Sequence, residues 1–147
     1  MDRKSTNNWI NTLLSSLEDK DEMLGKSVLE ECGRACCIEH GVLAKAKEIG
    51  NKAINLNDDE KFNLLYENFL GHGISFYKES GMIYFEYSKC KCSMKTDENE
   101  LDGFLCECTR GFAKALMETL YRKSVEVTIM KTILRGDEKC QLAVRII

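Results

Sequence analysis

Cys32, Cys36 and Cys37 form one group of thiols in this chain, Cys90 and Cys92 a second, and Cys106 and Cys108 a third. Cys140 stands alone near the end. Thiolates are soft ligands and nucleophiles, so such grouping points to metal or redox chemistry before it points to a reaction. On an extended segment a residue shares its side with the residue two positions on. Each Cys-x-Cys pair then offers two sulfurs to one point in space. Cys90, Cys92, Cys106 and Cys108 together have the four soft ligands of a tetrahedral zinc site. Lys89, Lys91 and Lys95 surround one pair and Glu107 splits the other, which favours an exposed edge over four small buried residues. Cys140 reads equally as a further ligand or as a core thiol beside Leu142 and Val144.

Cys32, Cys36 and His40 recur at i, i+4 and i+8, one stripe of one helix. A pair at that spacing can chelate a metal. Alternatively, His40 can lower the pKa of Cys36 and make it a nucleophile, which marks Cys36 and His40 as the catalytic candidates. The competing reading is a tightly packed face, with Gly33 and Ala35 easing close approach.

Composition narrows the classes. The chain has 147 residues, 44% of them apolar, enough for one domain with a real core. Its net charge is −3, with no basic excess to neutralise a phosphate backbone, so nucleic acid is not an expected partner. No apolar run is long enough to span a membrane, and the N-terminus lacks the pattern of a signal peptide. The expected setting is therefore a reducing cytoplasm, where clustered cysteines read as metal-binding or catalytic rather than as disulfides.

The elements that must position these thiols follow from periodicity. Trp9, Ile10, Leu13, Leu14 and Leu17 predict a first helix, broken by the acidic run at 18–22. A second helix carries Val28, Leu29, Cys32 and Cys36 to Gly41, and a third runs through Leu43, Ala46 and Ile49. The fourth opens on a capping box, Asn57 with Glu60, and ends at Gly71-His72-Gly73. Residues 74–79 and 82–88 alternate as a hairpin through Ser80-Gly81, and Tyr66, Phe76, Tyr77, Tyr84, Phe85 and Tyr87 are candidates to line an apolar pocket. After a polar loop come a helix from about Cys108 to Tyr121 and a second hairpin, 125–134 and 140–147. The expected fold is α+β: helices over 1–73, then a β-β-α-β-β unit over 74–147 with an antiparallel sheet, in a single domain 1–147.

Leu105-Cys-Glu-Cys-Thr-Arg-Gly-Phe112 opening a helix, Val125-Glu-Val-Thr-Ile, and Gly136-Asp137-x-x-Cys140 leading into a last strand resemble the 4-vinyl-reductase type domain. That fold is shared with Bet3-like transport subunits and with small-molecule sensor domains of bacterial regulators. Aminothiazoline-carboxylate hydrolase-like proteins have a similar ending, and small bacterial cysteine-rich proteins of this type are the nearest likeness. In zinc-bearing sensor members the ligands come from the helix start, the strand before the Gly-Asp turn, and the cysteine after it. Carried over, Cys106 or Cys108 and Cys140 match. Thr132 stands where the strand cysteine would be, and the Cys90/Cys92 pair is the expected replacement.

The reading is a cytoplasmic cysteine-rich metal-binding domain, with zinc first and an iron–sulfur cluster second. Its ligands would be drawn from Cys90, Cys92, Cys106, Cys108 and Cys140. A small-molecule pocket nearby is what the resemblance to sensor domains implies, and a homodimer is open. The alternative is a small hydrolase using a metal-bound water or a cysteine nucleophile.

Overall fold

Among the described residues, five α-helices and four strands follow one another in the expected order: α1 (Arg3–Lys20), α2 (Glu22–Glu39), α3 (Val42–Lys52), α4 (Asp58–Phe69), β1 (Ile74–Glu79), β2 (Met82–Tyr87), α5 (Cys106–Tyr121), β3 (Val125–Lys131) and β4 (Cys140–Ile146). The computed structural model describes residues 2–70, 74–89 and 101–147. Local chemistry accounts for the boundaries. Asp2 accepts from the Ser5 amide at 2.7 Å and starts α1. The acidic run at 18–22 does not break the helix as a block, because Glu and Lys sustain helical backbone. Only Asp21 leaves it, ending α1 and capping α2 by accepting from the Leu24 amide at 3.0 Å. The capping box of α4 forms as read, with Asn57 accepting from the Glu60 amide and Glu60 from the Asn57 amide.

The sheet is antiparallel in the order β1-β2-β4-β3, so the two hairpins join edge to edge through β2 and β4. Ser80 and Gly81 both have positive φ, 52° and 79°, as a tight hairpin turn matched to strand twist requires. Period-two alternation turns Phe76, Ile83, Phe85, Tyr87, Val127, Leu142 and Val144 inward. Tyr77 and Tyr84 stack on the outer face with ring centroids 5.0 Å apart, so the aromatic alternation divides between core and surface.

Helix α5 is the hub, packed between the sheet and the pair α2 and α3. Its apolar side chains Leu116, Met117 and Leu120 join the main core. On α2 the buried ridge is Gly25, Leu29, Gly33 and Cys37, spaced four apart and made of small residues except Leu29. That ridge lets the two helix backbones meet: a Cβ on Gly33 would sit 2.0 Å from the Cys108 carbonyl oxygen, and one on Gly111 2.4 Å from that of Glu30. Around this crossing Arg110 pairs with Glu107 and Glu30, and Lys114 donates to Glu30 at 2.8 Å. The far end of α5 is held by buried Lys61, whose ammonium donates to the Tyr121 carbonyl at 3.1 Å, where the helix dipole favours a cation. A second cluster, Leu14, Leu29, Leu101, Phe104 and Leu105, seats α1. Among the described residues no helix is long and apolar enough to cross a membrane.

Candidate functional site

Asp102 determines where α5 begins. Its carboxylate accepts from the Phe104 amide at 2.9 Å and starts a 3-10 turn, 103–105, that runs directly into α5. Cys106 is thus the first residue of the helix, two positions earlier than the periodicity indicates, and it is buried. On the sheet side, Thr132 follows β3 and caps a second 3-10 turn, accepting from the Leu134 amide at 3.2 Å. Asp137 closes the same turn by accepting from the Thr132 amide at 2.8 Å, and the chain re-enters the sheet at Cys140.

These turns bring three side chains together. Cys106 Sγ lies 2.8 Å from Thr132 Oγ1, and the Ile133 amide donates to Cys140 Sγ at 3.3 Å. Tyr87, Thr109, Ile129, Lys131 and Leu142 complete a pocket of about 20 Å³, room for about one water. Of the five expected ligands, Cys106 and Cys140 line this pocket. Cys108 packs with the Leu14–Leu29 cluster instead. The reason is geometric: once both cysteines are helical, two positions apart means about 200° around the axis. The premise of an extended Cys-x-Cys therefore does not hold for this pair. Cys90 and Cys92 lie outside the described residues. Among the described residues no group of three or more His, Cys, Asp or Glu side chains is placed to hold a metal ion.

The first thiol group divides across α2. Cys32 is exposed, Cys36 half-buried and Cys37 fully buried in the main core. Close approach on α2 falls to Gly33 and Cys37, while the Cys32 side is open to solvent. Burial, reinforced by the neighbouring Cys36, pushes the Cys37 thiol up to about 11, so it stays protonated at neutral pH. His40 follows the last residue of α2 and donates its backbone N–H to the Cys36 carbonyl at 3.1 Å. His40 also lines a larger space.

That space is a cavity of about 390 Å³ between α3, the end of α4, the first hairpin and α5. Its floor is apolar: Phe76, Phe85, Tyr87, Phe112 and Leu116, with Phe76 and Phe85 edge to face at 4.8 Å between centroids. His40, Lys45 and Asn68 supply its polar groups. Lys45 is held at the mouth, its ammonium donating to the Asn68 carbonyl at 2.7 Å and lying 4.9 Å from the centre of the Phe69 ring. Sequence reading passed over Lys45 and Asn68. A signal for Lys45 was available: a lysine in the first turns of a helix works against the dipole, and α3 has no acidic residue there.

A family model described as a family of unknown function, DUF6144, matches residues 1–147. No curated protein matches the chain in sequence. Among solved structures, a trafficking protein particle complex subunit 3 from Naegleria fowleri, covalently bound to palmitic acid, is similar with a TM-score of 0.58 at 15% identity. The alignment covers 98% of this chain and 96% of that one. The phenol-responsive sensory domain of the transcription activator PoxR, solved with phenol, is similar with a TM-score of 0.50 at 11% identity, covering 99% of this chain and 75% of that one. At these identities the likeness is one of fold, and it is the expected Bet3-like α+β architecture.

Proposed function

We propose that this chain, which belongs to the DUF6144 family along its whole length, binds a small apolar molecule in the aromatic cavity between its sheet and its helices. The carrying observation is the cavity itself: about 390 Å³, walled by aromatic and aliphatic side chains with three polar groups among them. Small-molecule sites have that size and that balance of a greasy wall and few orienting groups. The fold neighbours support the same reading, one having been solved with phenol and another with palmitic acid. A fluorescent apolar probe, N-phenyl-1-naphthylamine, tests it. At about −0.3 kcal/mol per non-hydrogen atom its roughly 17 atoms give about −5 kcal/mol, a Kd of about 200 μM. Leu116→Phe fills the floor and should abolish the signal while a thermal melt shows the variant folded. Equal probe binding by that variant and the parent chain would put the probe elsewhere and end the proposal.

A second reading has its own support. Cys106, Thr132 and Cys140 converge at the three positions that the resemblance to zinc-bearing members of the 4-vinyl-reductase type assigns to ligands. Two thiols are half of a tetrahedral set, and Cys90 and Cys92 are the further ligands this reading requires. Zinc there would tie the helix start to the sheet and stabilise the fold, with an iron–sulfur cluster as the second choice. Metal and labile sulfide per chain, measured after purification without oxygen, decide the matter. About one zinc without sulfide supports the site; metal-free protein with every thiol titratable rules it out. Both readings suit a reducing, cytoplasmic setting. The hydrolase alternative would act through a metal-bound water or a cysteine nucleophile, Cys36 with His40, and an unchanged rate in Cys36→Ala would remove that pair.

A further inference from the structure

Among the described residues that line the cavity, the charged side chain at its polar edge is a cation. Lys45 brings a full positive charge, His40 stands beside it, and no Asp or Glu is among the described residues that line the space. Lys45 is exposed, and two contacts place it at the mouth. Its ammonium is tied to the Asn68 carbonyl and its position over Phe69 keeps it at the mouth, while the ammonium has three donors in all and so retains capacity for an incoming acceptor. The backbone contributes both signs at this edge. Gly41, in the left-handed conformation at φ 75°, starts α3 without a capping side chain, and Gly41 and Val42 both line the cavity. The first amides of α3 add positive potential there, while α2 has its C-cap at His40 and α4 ends at Phe69, so two carbonyl ends stand at the same edge and Lys45 offsets that of α4.

The opposite wall sets the shape of the occupant. Phe69, Phe76, Phe85, Tyr87 and Phe112 surround the space with rings, and a volume of about 390 Å³ accepts one or two fused rings. From these two halves we infer that the ligand of this cavity is a small aromatic anion, its rings on the phenylalanine floor and its carboxylate or sulfonate at Lys45. The inference rests on the small-molecule reading above and names the chemical class that reading leaves open.

Two ligands of nearly equal shape separate the two claims. 2-Naphthoate carries the carboxylate, and 2-naphthalenemethanol replaces it with a neutral hydroxymethyl group. Calorimetric titration of the full chain is expected to show 2-naphthoate binding about tenfold tighter, the scale of one charge-assisted hydrogen bond. That preference should shrink as salt is raised. Lys45→Met is expected to cut the naphthoate affinity about tenfold more than the alcohol affinity. Equal binding of both ligands to the parent chain, or an equal loss of both in Lys45→Met, would overturn the anion assignment and leave the cavity reading standing. Binding of neither ligand would overturn both.

Discussion

Tyr87, the last residue of β2, and Cys140, the first residue of β4, are direct cross-strand partners on the inner face of the sheet. The Tyr87 side chain is a wall of the thiol pocket on one side and of the aromatic cavity on the other. Burial, and then the proximity of Cys140, raises the Tyr87 phenol above the usual tyrosine range, so the ring is a neutral partition at any physiological pH. Two spaces that sequence reading treated as separate questions therefore share one residue.

The tightest site among the described glycines predicts a large effect of a single methyl group. Gly33→Ala places a Cβ within 2.6 Å of the Phe112 nitrogen and 2.0 Å of the Cys108 carbonyl oxygen, and backbone cannot yield as a flexible side chain can. Alanine would add about 1 kcal/mol of helix propensity at a solvent position. Here the overlap reverses that sign, and a net loss of about 2 kcal/mol or more is expected in urea unfolding. Gly111→Ala should behave alike. A gain in stability for either variant would mean that α2 and α5 do not cross as closely as these positions place them.

Alkaline pH should destabilise the fold, and Cys37 gives the onset. A thiol in the unfolded chain ionises at its ordinary value of 9.0, whereas Cys37 in the core is pushed up to about 11 by burial. Between those values the folded state holds the extra proton, so stability is full below pH 9 and falls as pH rises toward 11. Tyr87 and Tyr121, raised by burial, extend the same trend at higher pH. Melting temperatures taken across this window should decline less steeply in Cys37→Ala than in the parent chain. Parallel slopes would show that Cys37 is not the group responsible.

Helix α1 should open first. It buries one side chain, Leu14, while α5 buries nine residues. One leucine supplies about 1.5–3 kcal/mol, against a cost of about 1–2 kcal/mol per residue for ordering backbone. Polar ties supplement it, among them Ser15 to the Asp102 carboxylate at 3.0 Å, the Asp102 amide to Asn11 at 2.8 Å and the Glu18–Arg135 ion pair at 3.7 Å. Native-state hydrogen exchange is expected to show α1 amides exchanging well ahead of those in α5. Equal protection of the two helices would contradict this order.

What was legible in the sequence was local. Asn57 with Glu60 and Ser80 with Gly81 are short-range signals, and each formed as read because the hydrogen bonds or dihedrals involved span a few residues. Gly33 was recognised as a point of close approach, but its partner, Gly111, was not, since no local pattern links positions so far apart. Placing the start of α5 at Cys108 rather than Cys106 had a larger consequence. It left the Cys-x-Cys pair free to be imagined as extended, when two positions on a helix face different neighbours. The cavity was out of reach for the same reason: Lys45, Asn68 and Phe112 come from three different helices, and only the packed fold brings them together.

Thr132 offers the sharpest test of the thiol pocket. Its hydroxyl sits 2.8 Å from Cys106 Sγ, in a pocket that Cys140 also lines, at the position where the resemblance to zinc-bearing domains implies a cysteine. Thr132→Cys exchanges one buried hydroxyl for a thiol, and the Leu134 amide of the turn loses a strong acceptor, costing about 1 kcal/mol. Three sulfurs would then face one point, and Zn²⁺ with three thiolates and one open position is an ordinary coordination. Cobalt substitution reads this directly, because the near-ultraviolet thiolate-to-cobalt band grows with each sulfur bound. The variant is expected to bind Co²⁺ and Zn²⁺ at least tenfold more tightly than the parent chain and to show a stronger band. Zinc should also protect Cys106 and Cys140 from alkylation in the variant. An unchanged band and unchanged alkylation would mean that the three side chains share a pocket without sharing a focus, and the metal reading would then have no support from the described residues.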